Sequence, residues 1–366
     1  MASRAKVDKP FLLISIILIV VGFFIFSSAS LALLAKESSN YSSIAFSQTV
    51  FGLFLGTVVM IIFSRLDFRI WKKSAFFLLV GAVILNILVL VPEIGFEHAG
   101  ARRWIMLGTI SFQTSEALKF AFIIYFAAWA ASVKDKITTF RWGFLPLLIL
   151  FAISAILLLK QPDTDNLILI IIAGVAMFIV AGGKWRYVLL IILSGVIGLA
   201  LLAYTKPYIR ERLTTFLNPQ TDIQGASYQV RQSLIAIGSG GLFGRGFGQS
   251  VQKFTYLPEP VGDSIFAVAA EEFGFVGSLF LLIVFVLFAL RGLKIASRTS
   301  NVFGRLTVVG IVIMIIFQAF VNIGAMLGVI PLSGITLPFV SHGGTSLFVS
   351  LLEVGIVLSI SRTRES

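Results

Sequence analysis

The sequence predicts an all-α polytopic membrane protein with about ten transmembrane helices and a large extracytoplasmic loop between the seventh and the eighth. The chain of 366 residues is 58% hydrophobic and 13% charged, and its mean hydropathy is +1.00. Its apolar runs reach the roughly 20 residues that a helix needs to cross a hydrocarbon core of about 30 Å. Basic residues collect in alternate connections, which orients the helices. These observations predict one transmembrane domain over residues 1–366.

Ten apolar segments follow one another along the chain. The first comes after a basic N-terminus and is too long for the core of a cleaved signal peptide, so we expect it to remain as a helix. Glycine, proline and charged residues separate the later segments. The predicted spans are about 11–33, 46–63, 74–92, 115–132, 143–159, 166–182, 186–204, 264–290, 304–328 and 344–361.

The net charge of +12 is spread over short connections rather than gathered in one nucleic-acid-binding patch. With ten spans, both termini and most basic clusters lie on one side, which predicts a multi-pass protein of the cytoplasmic (inner) membrane with both termini in the cytoplasm. The opposite side receives the long loop 205–263, and loops of this length are usually functional or disordered. The chain has no cysteine and two histidines, which excludes disulfides, thiolate metal sites and a His-rich metal site.

Several basic residues lie on the predicted outer side, against the usual orientation rule. Arginine forks suit phosphate oxygens, so an anionic ligand is one explanation, and contact with anionic lipid headgroups is the other. These residues are Arg102, Arg103, Lys206, Arg210, Arg212, Arg231, Arg245 and Lys253.

The acidic residues concentrate where the long loop returns to the membrane. Asp263 follows two prolines and a glycine and precedes an apolar run, so it is a candidate catalytic acid, with an N-cap of the eighth span as the alternative. Glu271 and Glu272 lie two turns further on. Because a carboxylate facing lipid is costly, at least one of them is expected to face the bundle interior and a partner.

Three other groups carry polar chemistry near the outer ends of spans. Glu116 and Lys119 are three residues apart and can pair on a helix, either for structure or for substrate binding. Asp163, in a Gln-Pro-Asp turn, can cap the sixth span, bind a cation or pair with an external arginine. Ser341 and His342 open the tenth span, where adjacency alone does not make a hydrolase triad and a glycine-kinked helix start is favoured.

The glycine-rich stretch 238–248 does not fit the dinucleotide-binding fingerprint, since no strand precedes it. A flexible or closely packed re-entrant loop is the expectation for this stretch. No phosphate-binding loop motif for ATP occurs either.

Five stretches, in this order, resemble the SEDS family of bacterial membrane proteins (shape, elongation, division and sporulation). They are GARRWI at 100–105, TSEALKFAFIIY at 114–125, QPD at 161–163, 228–277 from YQVRQS to EEFGFVG, and GITLPFVSHGGTS at 334–346. The resemblance covers nearly the whole chain. Within the family, the loop before Asp263 and the GITLPF segment are more similar to the division type, FtsW, than to the elongation type, RodA.

The resemblance implies a peptidoglycan glycosyltransferase that polymerises lipid II, the undecaprenyl-pyrophosphate-linked disaccharide, at the outer face of the membrane during septal cell-wall synthesis. It aligns Asp263 with the family's essential acid. It also implies a class B penicillin-binding protein as partner, with other divisome proteins, and leaves a divalent cation (Mg²⁺ or Mn²⁺) open. The expected substrate-binding residues are Arg102, Arg103, Glu116, Lys119, Asp163, Arg210, Arg245, Lys253, Ser341 and His342.

The chain departs from the family pattern at several places, among them Thr114, Thr164–Asn166 and His342. A lipid II flippase, an elongation-type polymerase and a scaffold that activates a partner are the alternatives. Transport requires ionisable groups along the whole path, whereas a transferase requires them at the outer face. The inner halves of the predicted spans carry few charges, which favours the enzyme.

Overall fold

The computed structural model describes residues 7–35, 41–98, 100–108, 110–218 and 226–363. Helices dominate this part of the chain. In order, they are α1 (Lys9–Ala35), α2 (Tyr41–Phe46), α3 (Gly56–Arg65), α4 (Arg69–Leu88), α5 (Thr114–Val133), α6 (Leu145–Lys160), α7 (Thr164–Val180), α8 (Trp185–Thr205), α9 (Pro207–Leu217), α10 (Ala226–Ser239), α11 (Gln252–Thr255), α12 (Ile265–Ser297), α13 (Val302–Met326) and α14 (Gly344–Ser361).

All ten predicted spans coincide with helices in the described part of the chain. Nine helices there are long and apolar enough to cross a membrane, and α7, with 17 residues, is a shorter apolar helix in the position of the sixth span. The second span is a continuous helix in which α2 and α3 are joined by the π-helical segment Ser47–Leu55. The prediction of a polytopic helical membrane protein is therefore confirmed.

The core of the bundle lies around its last two helices. In the most apolar 18 residues of α14, 89% are buried, and the corresponding share is 78% for α13 but only 11% for α8. Helix α14 packs on α3, and α13 packs on α12, α7 and α5. We therefore place α13 and α14 at the centre and α8 at the lipid-facing edge.

The connection between α4 and α5 forms a small sheet that the all-helical prediction did not include. Strands β1 (Gly95–His98), β2 (Ala101–Leu107) and β3 (Ile110–Gln113) are antiparallel in the order β1-β2-β3. Gly100 and Gly108, both with positive φ, lie in the turns between them. The sheet leads directly into α5 and so fixes the start of the helix that carries Glu116 and Lys119.

The glycine-rich loop after α10 packs closely against a kink in α12. At Gly274 the backbone leaves the helical conformation (φ 66°, ψ −164°). The amides of Phe275 and Val276 donate to the carbonyls of Gly241 and Leu242, at 2.9 and 3.1 Å. This pairing agrees with the predicted closely packed re-entrant loop.

Candidate functional site

Asp263 lies in the turn immediately before α12, where the long loop returns to the bundle. Its carboxylate Oδ1 accepts one long hydrogen bond, of 3.3 Å, from the side-chain amide of Gln229 on α10. The same amide donates to Ser264 Oγ at 2.9 Å. Ser264, not Asp263, occupies the N-cap position of α12. The capping alternative for Asp263 is therefore wrong.

The surroundings of Asp263 favour its neutral form. Burial and, second, the negative charge of Glu259 raise the pKa of the carboxyl from 3.8 to about 7. The hydrogen bond from Gln229 opposes the shift without cancelling it. A carboxyl with a pKa near 7 is suited to accept a proton as a general base at neutral pH.

The segment between α13 and α14 holds the turn of Asp263 from the opposite side. Ser341 Oγ donates to the carbonyl of Gly262 at 2.7 Å, and the amide of His342 donates to the carbonyl of Val261 at 2.7 Å. Asn322 of α13 donates to the carbonyl of Asp263 at 2.7 Å. The Ser-His pair predicted as substrate-binding therefore contacts the acid's own turn.

His342 is a neutral group in this arrangement. Burial lowers the pKa of its imidazole to about 4. Its Nε2 has no hydrogen-bond partner among the described residues, and the ring stacks on Phe26 with centroids 6.4 Å apart. No serine hydroxyl is bonded to the imidazole in the described part of the chain, which agrees with the rejection of a hydrolase triad.

The predicted pair on α5 is present and buried. Lys119 Nζ lies 2.8 Å from Glu116 Oε1, and their side chains are 3% and 6% exposed. Lys119 also donates to Gln318 Oε1 of α13 at 2.9 Å. Glu353 of α14, buried as well, lies close enough for the charges of Lys119 and Glu116 to act on its carboxyl. This is a polar cluster inside the bundle.

A second buried cluster attaches the long loop to α12. Lys253 Nζ lies 2.7 Å from Glu272 and donates to Ser28 Oγ of α1 at 3.0 Å. Glu271 accepts a hydrogen bond of 2.5 Å from Ser250 Oγ. Both glutamates thus face the interior and have partners, as predicted.

Two of the predicted substrate ligands belong to this second cluster. Lys253 is fully buried, and its ammonium is surrounded by protein acceptors. Arg245, with its side chain 42% exposed, lies 3.5 Å from Glu271. Substrate binding by both residues stays a prediction, although the contacts of Lys253 favour a structural role.

The Gln-Pro-Asp turn joins α6 to α7 and is contacted by Arg103 of β2. Arg103 Nε donates to the carbonyl of Gln161 at 3.0 Å, and its terminal nitrogen donates to the carbonyl of Pro162. The carboxylate of Asp163 accepts from the side chain of Asn166 at 2.9 Å. Asp163 holds the N-cap position of α7 without a bond to a backbone amide. Arg103 thus positions this turn.

The remaining predicted arginines have separate positions. Arg102 pairs with Glu97 across β1 and β2 at 2.9 Å. Arg210 donates to the carbonyls of Ala203 and Tyr204 at the end of α8, at 3.3 and 2.7 Å. The structure therefore brings Ser341 and His342 to Asp263 and leaves Arg102 and Arg210 in local contacts, and their substrate-binding roles stay predictions.

The sequence reasoning missed three polar side chains on buried helices: Gln318, Asn322 and Glu353. Each interrupts an otherwise apolar span, and such residues inside membrane helices are usually functional or paired. Gln229 was missed as well, although it lies in a stretch that carried the family resemblance. A neutral amide among charged residues carries no separate signal in the sequence.

An apolar groove of about 320 Å³ runs between α1 and α12. Phe24 and Ile25 of α1 line one side, Phe273 and Leu281 of α12 line the other, and Phe247 of the long loop lies against the groove. Because both helices are candidate membrane spans, the groove is available to an apolar chain in the bilayer.

The described residues contain no group of three His, Cys, Asp or Glu side chains arranged to hold a metal ion. A divalent cation would therefore need ligands from a bound substrate in addition to these side chains.

The fold and the site together define a multi-span integral membrane protein with a half-buried carboxyl at one end of its helix bundle. Comparison with known proteins gives the family. The model of the cell cycle protein family that includes FtsW, RodA and SpoVE matches residues 9–366. This protein belongs to that family.

Curated relatives match over nearly the full length of both chains. The chain is 37% identical over 360 residues to stage V sporulation protein E of Bacillus subtilis, covering 98% of each chain. It is 38% identical over 364 residues to the probable peptidoglycan glycosyltransferase FtsW of Coxiella burnetii, covering 98% of this chain and 97% of the relative. The name of the Coxiella relative agrees with the expectation of a peptidoglycan glycosyltransferase.

Solved structures support the same fold. The chain matches RodA of Thermus thermophilus with a TM-score of 0.72 and 28% identity, covering 98% of each chain. It also matches a chain in a structure of a peptidoglycan synthase complex that coordinates polymerization and crosslinking, with a TM-score of 0.78, 28% identity and 98% coverage of each chain. The predicted family and fold class are confirmed.

Proposed function

We propose that this protein is a peptidoglycan glycosyltransferase that polymerises lipid II at the outer face of the cytoplasmic membrane. The observation that carries the proposal is Asp263, a partly buried carboxyl with a pKa near 7 at the point where the long loop meets α12. The names of the FtsW relatives supply the reaction class. The FtsW names of several relatives favour the division type, and with it septal synthesis, over the elongation type.

In this mechanism Asp263 is the general base. Its carboxylate takes the proton from the 4-hydroxyl of the acceptor's N-acetylglucosamine. The oxygen then attacks C1 of the donor's N-acetylmuramic acid, the bond from C1 to the pyrophosphate oxygen breaks, and polyprenyl pyrophosphate leaves with inversion at C1. One displacement requires one base, so it does not need the carboxylate pair of a glycosidase.

The leaving pyrophosphate requires positive charge. A correctly placed general base increases the reaction rate by about 10²- to 10⁴-fold, and stabilisation of the developing negative charge can increase it by a similar factor. The candidates are Arg102 and Arg103 on the sheet, Arg210 on α9 and the partly exposed Arg245, with Lys119 deeper in the bundle, or a bound divalent cation. Arginine forks match phosphate oxygens in geometry.

The membrane part of the molecule would hold the lipid. The apolar groove between α1 and α12 suits a polyprenyl chain, because its lining is apolar apart from Ser278 and it can be entered from the bilayer. The distribution of basic residues among the connections supports the proposed orientation, with both termini in the cytoplasm and the large loop outside.

A class B penicillin-binding protein is the proposed partner, together with other divisome proteins. The similarity to a chain of a peptidoglycan synthase complex supports an assembly of this kind. Polymerisation then takes place next to a transpeptidase that crosslinks the product.

The test uses purified protein in detergent with its cognate penicillin-binding protein, labelled lipid II and a divalent metal. We expect glycan polymer from the wild type, none from Asp263→Ala, and wild-type amounts from Asp67→Asn, a control in the short connection between α3 and α4. Polymer from Asp263→Ala would remove Asp263 from the role of base. No polymer from any protein, with lipid II translocation in liposomes, would identify a flippase instead.

A further inference from the structure

Asn322 connects the main chain of Asp263 to another part of the molecule. It lies on α13, its side chain is fully buried, and its Nδ2 donates to two carbonyls. The first is the carbonyl of Asp263, at 2.7 Å, and the second is that of Ile335, also at 2.7 Å. Both amide protons are thus used to hold two segments that are distant in the sequence.

The neighbouring amide on the same helix makes an informative comparison. Gln318 is one turn before Asn322, and its Nε2 donates to the carbonyl of Thr336 at 3.0 Å. The two amides therefore hold consecutive carbonyls of the segment between α13 and α14. Gln318 contacts Lys119 instead of Asp263. Of these two amides on α13, Asn322 is the one that also donates a hydrogen bond to the turn of Asp263.

The turn that carries Asp263 is held through its main chain more than through its carboxyl. The carbonyl of Gly262 accepts from Ser341, and the next carbonyl, that of Asp263, accepts from Asn322. By contrast, the side-chain hydrogen bond to the carboxylate, from Gln229, is long, at 3.3 Å. The position of the carboxyl therefore depends on how firmly these two carbonyls are fixed.

The amide of Asn322 is also a costly choice for packing alone. Its Oδ1 is buried and has no hydrogen-bond partner among the described residues. A buried acceptor without a partner destabilises a protein, and an apolar side chain of the same size would avoid that penalty. What the asparagine contributes in return is the pair of hydrogen bonds to the carbonyls of Asp263 and Ile335.

We propose that Asn322 is a positioning residue for glycosyl transfer, which holds the main chain of Asp263 so that the carboxyl keeps its half-buried place next to the substrate. The inference rests on the proposed role of Asp263 as general base. It adds a residue of a central helix to the machinery, although Asn322 itself touches no reacting atom.

The test compares Asn322→Leu with Gln318→Met as the matched control. Without the amide, we expect the maximal polymerisation rate to fall about 10- to 100-fold, because a displacement of about 1 Å at a catalytic group can cost that much. The KM for lipid II should change little. The Gln318 variant also loosens the segment between α13 and α14 but leaves the bond to Asp263 in place.

The pH dependence of the rate separates positioning from general loosening. A carboxyl that moves toward water loses part of the burial that raises its pKa to about 7, so the acid limb of the profile should move to lower pH in Asn322→Leu. It should stay near pH 7 in Gln318→Met. Glu259 is the ionisable group whose charge acts on Asp263. The imidazole of His342, whose main-chain amide is bonded to the same turn, has a pKa of about 4 and does not produce a limb near 7.

Thermal unfolding of each variant checks that the protein is folded, and Asn322→Thr replaces the leucine variant if the latter does not fold. A wild-type maximal rate with an unmoved acid limb in the folded variant would overturn the inference. Asp263→Asn, measured in parallel, separates the two claims. If Asp263→Asn forms polymer at the wild-type rate, the role of Asp263 as general base fails. If it forms none while Asn322→Leu behaves as the wild type, only the inference on Asn322 fails.

Discussion

The charge of Glu259 provides a direct test of how the protein adjusts its proposed base. Burial and then the charge of Glu259 raise the pKa of Asp263 to about 7. Glu259 lies four residues before the acid, its side chain is exposed, and its main-chain carbonyl accepts from the amide of Gly262 at 3.0 Å. Replacing Glu259 by glutamine removes the charge and keeps the size of the side chain.

The size of the effect follows from the pKa. With a value of about 7, roughly 10% of Asp263 is ionised at pH 6 and roughly 90% at pH 8, so kcat/KM of the wild type should rise about tenfold between these pH values. In Glu259→Gln the pKa of Asp263 falls, because the unfavourable charge is absent. The rate at pH 6 should therefore increase, by no more than about tenfold, while the rate at pH 8 stays nearly the same.

The assay is the initial rate of polymer formation from labelled lipid II at low substrate concentration, between pH 5.5 and 8.5. Salt provides a second check, since Glu259 is exposed and its influence on Asp263 should weaken as ionic strength rises. A profile that is flat between pH 6 and 8 in the wild type would refute the assignment of the base. A limb that moves to higher pH in Glu259→Gln would refute the electrostatic reasoning.

Three further predictions concern stability and are checked by thermal unfolding in detergent. Lys253→Met should destabilise the protein by about 3–5 kcal/mol, because it leaves the buried carboxylate of Glu272 without its cation, and adding Glu272→Gln should recover part of the loss. Gly274→Ala should destabilise, since a β-carbon there would overlap the backbone of the glycine-rich loop and φ is positive, whereas Gly195→Ala on α8 meets no neighbouring atom and should be neutral or stabilising. Asp263→Asn should raise the free energy of unfolding relative to the wild type by up to about 4 kcal/mol above pH 7 and should leave it unchanged below pH 4, because the raised pKa penalises only the charged form of Asp263. Equal stability of the variant and the wild type at pH 8 would contradict this.

The sequence was sufficient to predict the helical framework, and the reason is physical. The length and hydropathy of a span are local properties, so ten spans could be drawn without knowledge of packing. The pairing of Glu116 with Lys119 was also local, because three residues bring two side chains to one face of a helix. Partners for Glu271 and Glu272 were expected from the cost of a carboxylate in lipid.

Other features depend on contacts between distant segments and could not be read in this way. The sheet β1–β3 has strands of four to seven residues, too short to stand out beside apolar spans. The role of Lys253 changes from a loop cation to a buried partner of Glu272 only when α1 and α12 come together. The bonds of Asn322 join positions 59 and 13 residues away, and nothing local indicates them.

The different treatment of the acids at the end of the bundle that carries Asp263 is the clearest physical indication of function. Glu116, Asp165, Glu271 and Glu272 each have a cation within 4 Å. Asp263, by contrast, has an amide at 3.3 Å and a second carboxylate that opposes its ionisation. A sequence selected for stability alone would place a neutral residue in such a position, because a raised pKa reduces stability at neutral pH. Two main-chain anchors, from Ser341 and Asn322, nevertheless hold that turn in place. A carboxyl kept ready to ionise and firmly positioned is what a general base requires.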